Sequence, residues 1–311
     1  MQAGYDGLRA QLTADLLMFE ADQVALVGLP DEAHRAALVE QLVDSLRRER
    51  YFHLVADRPV GADVGDPRTD SFDLVKAAVL HRDAGDFDEA CWMLFLFVHF
   101  GKHGKAGWSW PRAVYGDFGA APNAWWTWQR TSADPVAFQY WLQQVKPRIQ
   151  ALPGGFGNHR KYESLDAFAT TGTGAAVDGY VSLVLERGGS HRALFSSLSD
   201  PDPEVTFDRV MTALRTVPRF GRTAAFDYTT TGARLGLLTA RAPHTYLSSA
   251  TGPLKGTRLL FHGTRDSAMT GRQAQGALVD LAAALQVGPE VLEDAICNWQ
   301  KSPGAYRRFT G

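Results

Sequence analysis

The chain has only two cysteines in 311 residues. Cys91 and Cys297 each fall within an apolar helical pattern, which excludes a disulfide scaffold and a zinc-type cysteine cluster and points to reduced thiols in a cytoplasmic protein. Long apolar runs are also missing. The longest, Cys91 to Phe100, is far short of the roughly 20 residues that span a bilayer, so it reads as a buried helix. The N-terminus has no basic segment leading into an apolar core, which argues against secretion. Charge of one sign is absent too: 32 Lys and Arg face 34 Asp and Glu, for a net charge of −2. This denies the chain the global basic signature of many nucleic-acid binders, so any DNA site must be local. There is no nucleophile elbow, Walker loop, dinucleotide fingerprint, internal repeat or low-complexity tract. His99 and His103 have the spacing of a helical metal pair, but the expected glutamate and a third ligand are missing, so neither a metal nor a cofactor is called for.

What is present is helical periodicity. Apolar residues at three- and four-residue spacing predict helices over 8–19, 31–51, 72–82, 86–102, 135–151, 174–187, 203–217, 222–238, 271–286 and 289–301. The helix over 86–102 is apolar almost all round and belongs in a core. Six tryptophans between 108 and 141 contribute mostly core area, with one or two available to line a pocket. Residues 58–69 are rich in proline and glycine and read as a linker. The expectation is an all-α protein of two helical lobes around a central cleft, with residues 1–60 as an N-terminal helical extension and 70–311 as the main domain.

Several glycine-bearing basic segments carry candidate chemistry. In Val217-Pro-Arg-Phe-Gly221 a tight turn leads into a helix whose start carries Arg219 and Arg222. Gly221 is expected to supply a conformation closed to other residues, and the free N–H groups there suit a phosphate; the alternative is an ordinary helix connection. Asn158-His-Arg-Lys-Tyr-Glu163 follows a glycine run and mixes an amide, an imidazole, two cations, a phenol and a carboxylate, as a loop around an anion or base edge would. The alternative is a polar surface turn. Lys102 and His103 close the apolar helix and complement its negative end. Asp227 lies in an apolar neighbourhood, either paired with Arg222 or Arg234 or kept for chemistry. Ala250 to Arg258, with Lys255 and Arg258, reads as a third basic turn or a plain loop.

Asp70–Arg82, Asp88 through His103, Phe156–Glu163, Phe220–Tyr228 and Ala250–Leu260 together resemble the alpha-glutamyl/putrescinyl thymine pyrophosphorylase family, which is similar to helix-hairpin-helix DNA glycosylases. The resemblance implies a helical fold around a base-binding cleft and a link to hypermodified pyrimidines in bacteriophage DNA. Two departures stand out: Arg219 replaces the first glycine of the glycosylase hairpin, and 238–247 lacks the acid that usually follows it.

The expected activity is a DNA glycosylase that flips a bulky modified pyrimidine, such as glucosylated hydroxymethylcytosine, out of double-stranded phage DNA in antiviral defence. Asp227, with Lys161 and His159, would act at the glycosidic bond. Asn158, Arg160, Tyr162, Tyr228 and His103 would hold the base or its adduct; Arg219, Gly221, Arg222, Lys255, Arg258 and Lys102 would hold phosphates. A pyrophosphorylase-type transfer and a non-catalytic reader of modified DNA are the alternatives.

Overall fold

A computed structural model describes residues 3–157 and 163–308. Among these there are fourteen α-helices and no strand. In chain order they are α1 (Asp6–Asp22), α2 (Glu32–Ala56), α3 (Leu74–Asp83), α4 (Phe87–Phe100), α5 (Ser109–Tyr115), α6 (Trp128–Ala133) and α7 (Pro135–Gln150). They continue with α8 (Thr173–Glu186), α9 (His191–Leu198), α10 (Pro203–Leu214), α11 (Arg222–Arg234), α12 (Gly252–His262), α13 (Gly271–Leu285) and α14 (Pro289–Trp299). No described helix is long and apolar enough to cross a membrane.

The helix starts are written in the sequence as side-chain caps. Asp73 accepts from the N–H groups of Val75 and Lys76, Asp86 from Glu89, Asp134 from Ala137 and Asp202 from Glu204. Thr270 and Gln273 form a reciprocal capping box at α13. Each cap satisfies donors that the first turn leaves without an intrahelical partner.

The chain divides into two compact units, Met1–Tyr51 with Ala242–Thr310, and Phe52–Arg241. This corrects the expected division near residue 60, because the N-terminal helices share a core with the last three. Leu16 and Phe19 of α1, Leu38 and Leu42 of α2, Leu278 of α13 and Ile296 of α14 bury together in one apolar cluster. Phe19 meets Phe261 edge-on at 6.4 Å between ring centroids. The segment expected to be a basic turn at 250–258 is instead the start of α12. Gly256 there serves helix packing, since a Cβ on it would stand 2.5 Å from Ile296 Cγ2 and 2.7 Å from the Ile296 carbonyl oxygen on α14.

The second unit is organised around α4, whose residues from Glu89 to Phe100 are buried except Phe97. A helix apolar on every side must be covered on every side, and α3, α5, α6, α9 and α11 all pack against it. Trp92, Phe95 and His99 recur at i, i+3 and i+7, so their rings run in a stacked row along one face, with centroids 5.1 and 5.7 Å apart. Of the six tryptophans from 108 to 141, Trp108, Trp126 and Trp128 are core. Trp125 and Trp141 are half-buried and tie down loops through N–H bonds to the Ala120 carbonyl and to Asp117. The short helices α5, α6 and α9 were not foreseen.

Candidate functional site

The hairpin between α10 and α11 is a turn closed by the Phe220 N–H on the Val217 carbonyl at 3.0 Å. Pro218 occupies its second position and Arg219, with φ +67°, its third. That is type II geometry, in which the third residue adopts a positive φ and is usually glycine. The sequence reading placed the unusual conformation at Gly221; it belongs to Arg219. Gly221 has φ −67° and ψ −169°, open to any residue, and a Cβ there would meet nothing within 4 Å.

Arg219 is held in place by Glu163, with Nε 3.2 Å from a carboxylate whose side chain is 1 % exposed. Phe220 stacks on Phe95 at 5.1 Å, and Gly179 of α8 leaves the room that the Pro218 ring occupies. These contacts fix the hairpin to the core of its unit. Gly221 is exposed at the start of α11 and brings no side-chain cap, so no side chain of the N-cap residue satisfies the first-turn N–H groups.

Arg222 departs from its expected role. It is 7 % exposed and its guanidinium lies over the Phe226 ring at 4.6 Å, so it turns to the core and does not face solvent as a phosphate ligand would. Tyr228 departs as well: it is fully buried, and its hydroxyl lies 2.7 Å from that of Tyr180. Asp227, between the buried Phe226 and Tyr228, is half-buried on α11. Lys255 is exposed in the first turn of α12, and Arg258 donates to the Met269 carbonyl at 2.9 Å; both belong to the unit of 242–310. Asn158, His159, Arg160, Lys161 and Tyr162 lie outside the described residues.

Their flanks are described. The Gly157 N–H donates to the Phe100 carbonyl at 2.7 Å, and Phe156 stacks on Phe100 at 5.4 Å, so residue 157 is fixed at the end of α4. Glu163, on the other side, is fixed at the hairpin. His103 serves the turn after α4. Its Nδ1 accepts from the N–H groups of Lys105 and Ala106 at 3.3 and 3.1 Å, and its backbone pairs with Gly107. His99 instead points into the core, with Nε2 2.9 Å from the Thr173 hydroxyl. The two imidazoles therefore do not act as a pair.

Lys102 opens onto a pocket of about 460 Å³ that sequence reasoning missed. Asp70, Asp73, Lys76, Lys102, Trp108 and Arg112 line it, from the starts of α3 and α5 and the turn between α4 and α5. Asp73 is the buried member. One carboxylate oxygen caps α3, and the other accepts from the Trp108 indole N–H at 3.0 Å and sits 3.5 Å from the Lys102 ammonium. The available signal was the acid at the helix start with a lysine three positions on, inside the Asp70–Arg82 stretch.

Two further groups missed from sequence lie deeper. Glu89 accepts from the Trp128 N–H at 2.7 Å, with the Tyr115 hydroxyl beside it; burial pushes its carboxyl up to about 7. Asp88 accepts from His191 Nδ1 at 2.7 Å, and His191 Nε2 lies 2.8 Å from the Tyr180 hydroxyl. Burial holds the His191 imidazole below its ordinary range, while its hydrogen bond holds Asp88 low.

The family model described as alpha-glutamyl/putrescinyl thymine pyrophosphorylase clade 3 matches residues 33–311. The chain belongs to this family, which is named for an enzyme of modified thymine. Comparison with curated proteins and with solved structures gave no match.

Proposed function

We propose that the chain is a DNA glycosylase that removes a modified pyrimidine from double-stranded DNA. The observation that carries this reading is the α10–turn–α11 unit, in which Arg219 takes the left-handed position and α11 starts uncapped and exposed with Asp227 further along. Such a turn receives a backbone phosphate on its N–H groups without reading sequence. Asp227 follows about one and a half turns into the helix. The glycosidic carbon is unreachable in the base stack, so the nucleotide must rotate out. As the carbon–nitrogen bond breaks, its electron pair leaves with the base and positive charge develops on the sugar. A carboxylate at Asp227 stabilises that charge and orients the water that adds to the anomeric carbon. His159 and Lys161 are assigned to the same step, Asn158, Arg160, Tyr162 and His103 to the base or its adduct, and Lys102 to a phosphate; Lys255, in the other unit, is a separate candidate phosphate contact, whereas Arg258 is engaged by the Met269 carbonyl.

The family name favours a second reading, displacement of pyrophosphate from a base-attached hydroxymethyl group with the sugar–base bond left intact. One experiment separates them. Purified protein is incubated with matched duplexes carrying cytosine, hydroxymethylcytosine, glucosylated hydroxymethylcytosine or a pyrophosphorylated hydroxymethylpyrimidine, the last with an amine acceptor. A free modified base and an alkali-labile site are the expected result, abolished by Asp227→Asn with duplex binding retained. Pyrophosphate release from an intact strand would establish the transfer reading instead, and uncut DNA with no pyrophosphate released from any duplex would remove both.

A further inference from the structure

The pocket at the start of α3 holds three cationic side chains, Lys76, Lys102 and Arg112, against two carboxylates, Asp70 and Asp73. The carboxylates do not cancel the cations equally. Asp70 is fully exposed, and its contact with Arg112 at 3.3 Å is a solvent-screened pair of little strength. Asp73 is buried and already accepts from two backbone N–H groups and the Trp108 indole, so its 3.5 Å approach to Lys102 is a loose one. The Lys76 ammonium makes no ion pair or hydrogen bond among the described residues, and the residue is half-buried. A half-buried lysine whose ammonium has no counter-ion, beside a second loosely held ammonium and a guanidinium, is an arrangement completed by an anion.

We propose that this pocket binds a phosphoryl group, a phosphate monoester or diphosphate carried on a ligand of nucleotide size. A tetrahedral anion with several acceptor oxygens can take the Arg112 fork and the two lysine ammoniums together, where a single carboxylate would leave one unanswered. A volume of about 460 Å³ leaves room beyond the anion for the group that bears it. Asp73 fixes the geometry: it locks Trp108 as a wall and holds Lys102 toward the opening, while its helix-capping oxygen ties the pocket to α3. The proposal does not rest on base excision, and either can fail without the other.

The test is calorimetric titration of the full chain with inorganic phosphate, pyrophosphate and deoxycytidine monophosphate, repeated with an unmodified duplex present. Saturable one-to-one binding of at least one anion is expected, weakened about tenfold or more by Lys76→Gln or Lys102→Gln and unchanged by Arg272→Gln, an exposed control outside the pocket lining. Asp73→Asn provides the sharper readout. Its oxygen keeps the α3 cap, but its amide nitrogen cannot accept from the Trp108 indole or pair with Lys102, so the wall and one ammonium are released and anion binding weakens severalfold although a negative charge is removed. Tighter binding would show that Asp73 acts only through its charge and does not fix the pocket. Displacement of the anion by duplex identifies a DNA backbone phosphate as the source; persistence in its presence identifies a free phosphorylated ligand. Absence of saturable binding by all three anions overturns the proposal, as does binding that Lys76→Gln and Lys102→Gln both leave unchanged.

Discussion

The hydroxyls of Tyr180 and Tyr228 share a hydrogen bond of 2.7 Å in the core beside α11, and that bond is the inner end of a chain reaching Asp88. Burial disfavours the charged imidazole of His191; in the neutral ring with Nδ1–H given to Asp88, Nε2 accepts the Tyr180 O–H. The Tyr180 oxygen is then left to accept from Tyr228. Three helices, α8, α9 and α11, are tied to α4 by this one line of groups, and α11 is the helix that carries Asp227.

The direction of donation predicts an order of damage. Tyr228→Phe removes one donor at the end of the line and costs about 1–2 kcal/mol, whereas Tyr180→Phe strands both His191 Nε2 and the Tyr228 hydroxyl and costs roughly 2–4 kcal/mol. Urea denaturation of the two variants measures the difference. An equal or inverted order would mean that the protons do not run as described.

Glu89 gives the protein a pH dependence that a surface carboxylate would not. Its folded value, about 7, lies above the ordinary value of 4.5, so the native state holds a proton that the unfolded state has lost. Stability from this group is therefore complete below 4.5 and is lost as pH rises through 7. Glu89→Gln keeps an acceptor for the Trp128 N–H and cannot ionise. Compared with the parent, it should be within about 1 kcal/mol at pH 4.5 and more stable by roughly 1–3 kcal/mol at pH 8. Thermal unfolding at the two pH values checks this; a constant difference across the range would remove Glu89 as its source.

Arg219 takes a conformation that glycine adopts freely, yet Arg219→Gly should not stabilise the hairpin. The left-handed backbone costs an arginine about 1–2 kcal/mol, which glycine would recover. The same change leaves the buried Glu163 carboxylate without the Arg219 guanidinium, and losing one partner of such a pair costs about 3–5 kcal/mol. Net destabilisation is expected for the single variant, and Arg219→Gly with Glu163→Gln should recover much of it. A double-mutant cycle in guanidinium tests the coupling; additive effects would show that the pair contributes nothing.

These relationships explain what was legible beforehand. Caps and apolar periodicity are local, so aspartate or threonine before Leu74, Pro135, Pro203 and Gly271 marks helix starts that the structure has. Gly252, Pro253 and Gly256 look locally like a turn. Their helix is decided by contact with α14, which no window around them contains. The same limit hid the chemistry of the second unit. Asp88 and His191 are far apart in sequence, as are Asp73 and Trp108, and only the packing around α4 and α3 brings each pair together. Arg222 and Tyr228 were misread because a charged or phenolic side chain on a helix says nothing by itself about which face is covered.

Gly157 provides a direct test of how that packing shapes the pocket. A Cβ on Gly157 would overlap the backbone of Lys102 and His103, which cannot swing aside as a flexible side chain could. Gly157→Ala must therefore break the bond from its N–H to Phe100 or push the 102–103 backbone outward, at a cost of about 1–3 kcal/mol. Outward movement would also strain the paired turn in which the His103 N–H is held by the Gly107 carbonyl. Amide exchange at His103 and Gly107 should accelerate well beyond the change in global stability. Gly276→Ala is the matching contrast. It lies within α13, nothing stands within 4 Å of its Cβ position, and alanine there should stabilise by about 0.5–1 kcal/mol. If Gly157→Ala behaved like Gly276→Ala, with stability raised and exchange at His103 unchanged, the close approach of residue 157 to the end of α4 would be wrong, and with it the placement of Lys102 at the pocket.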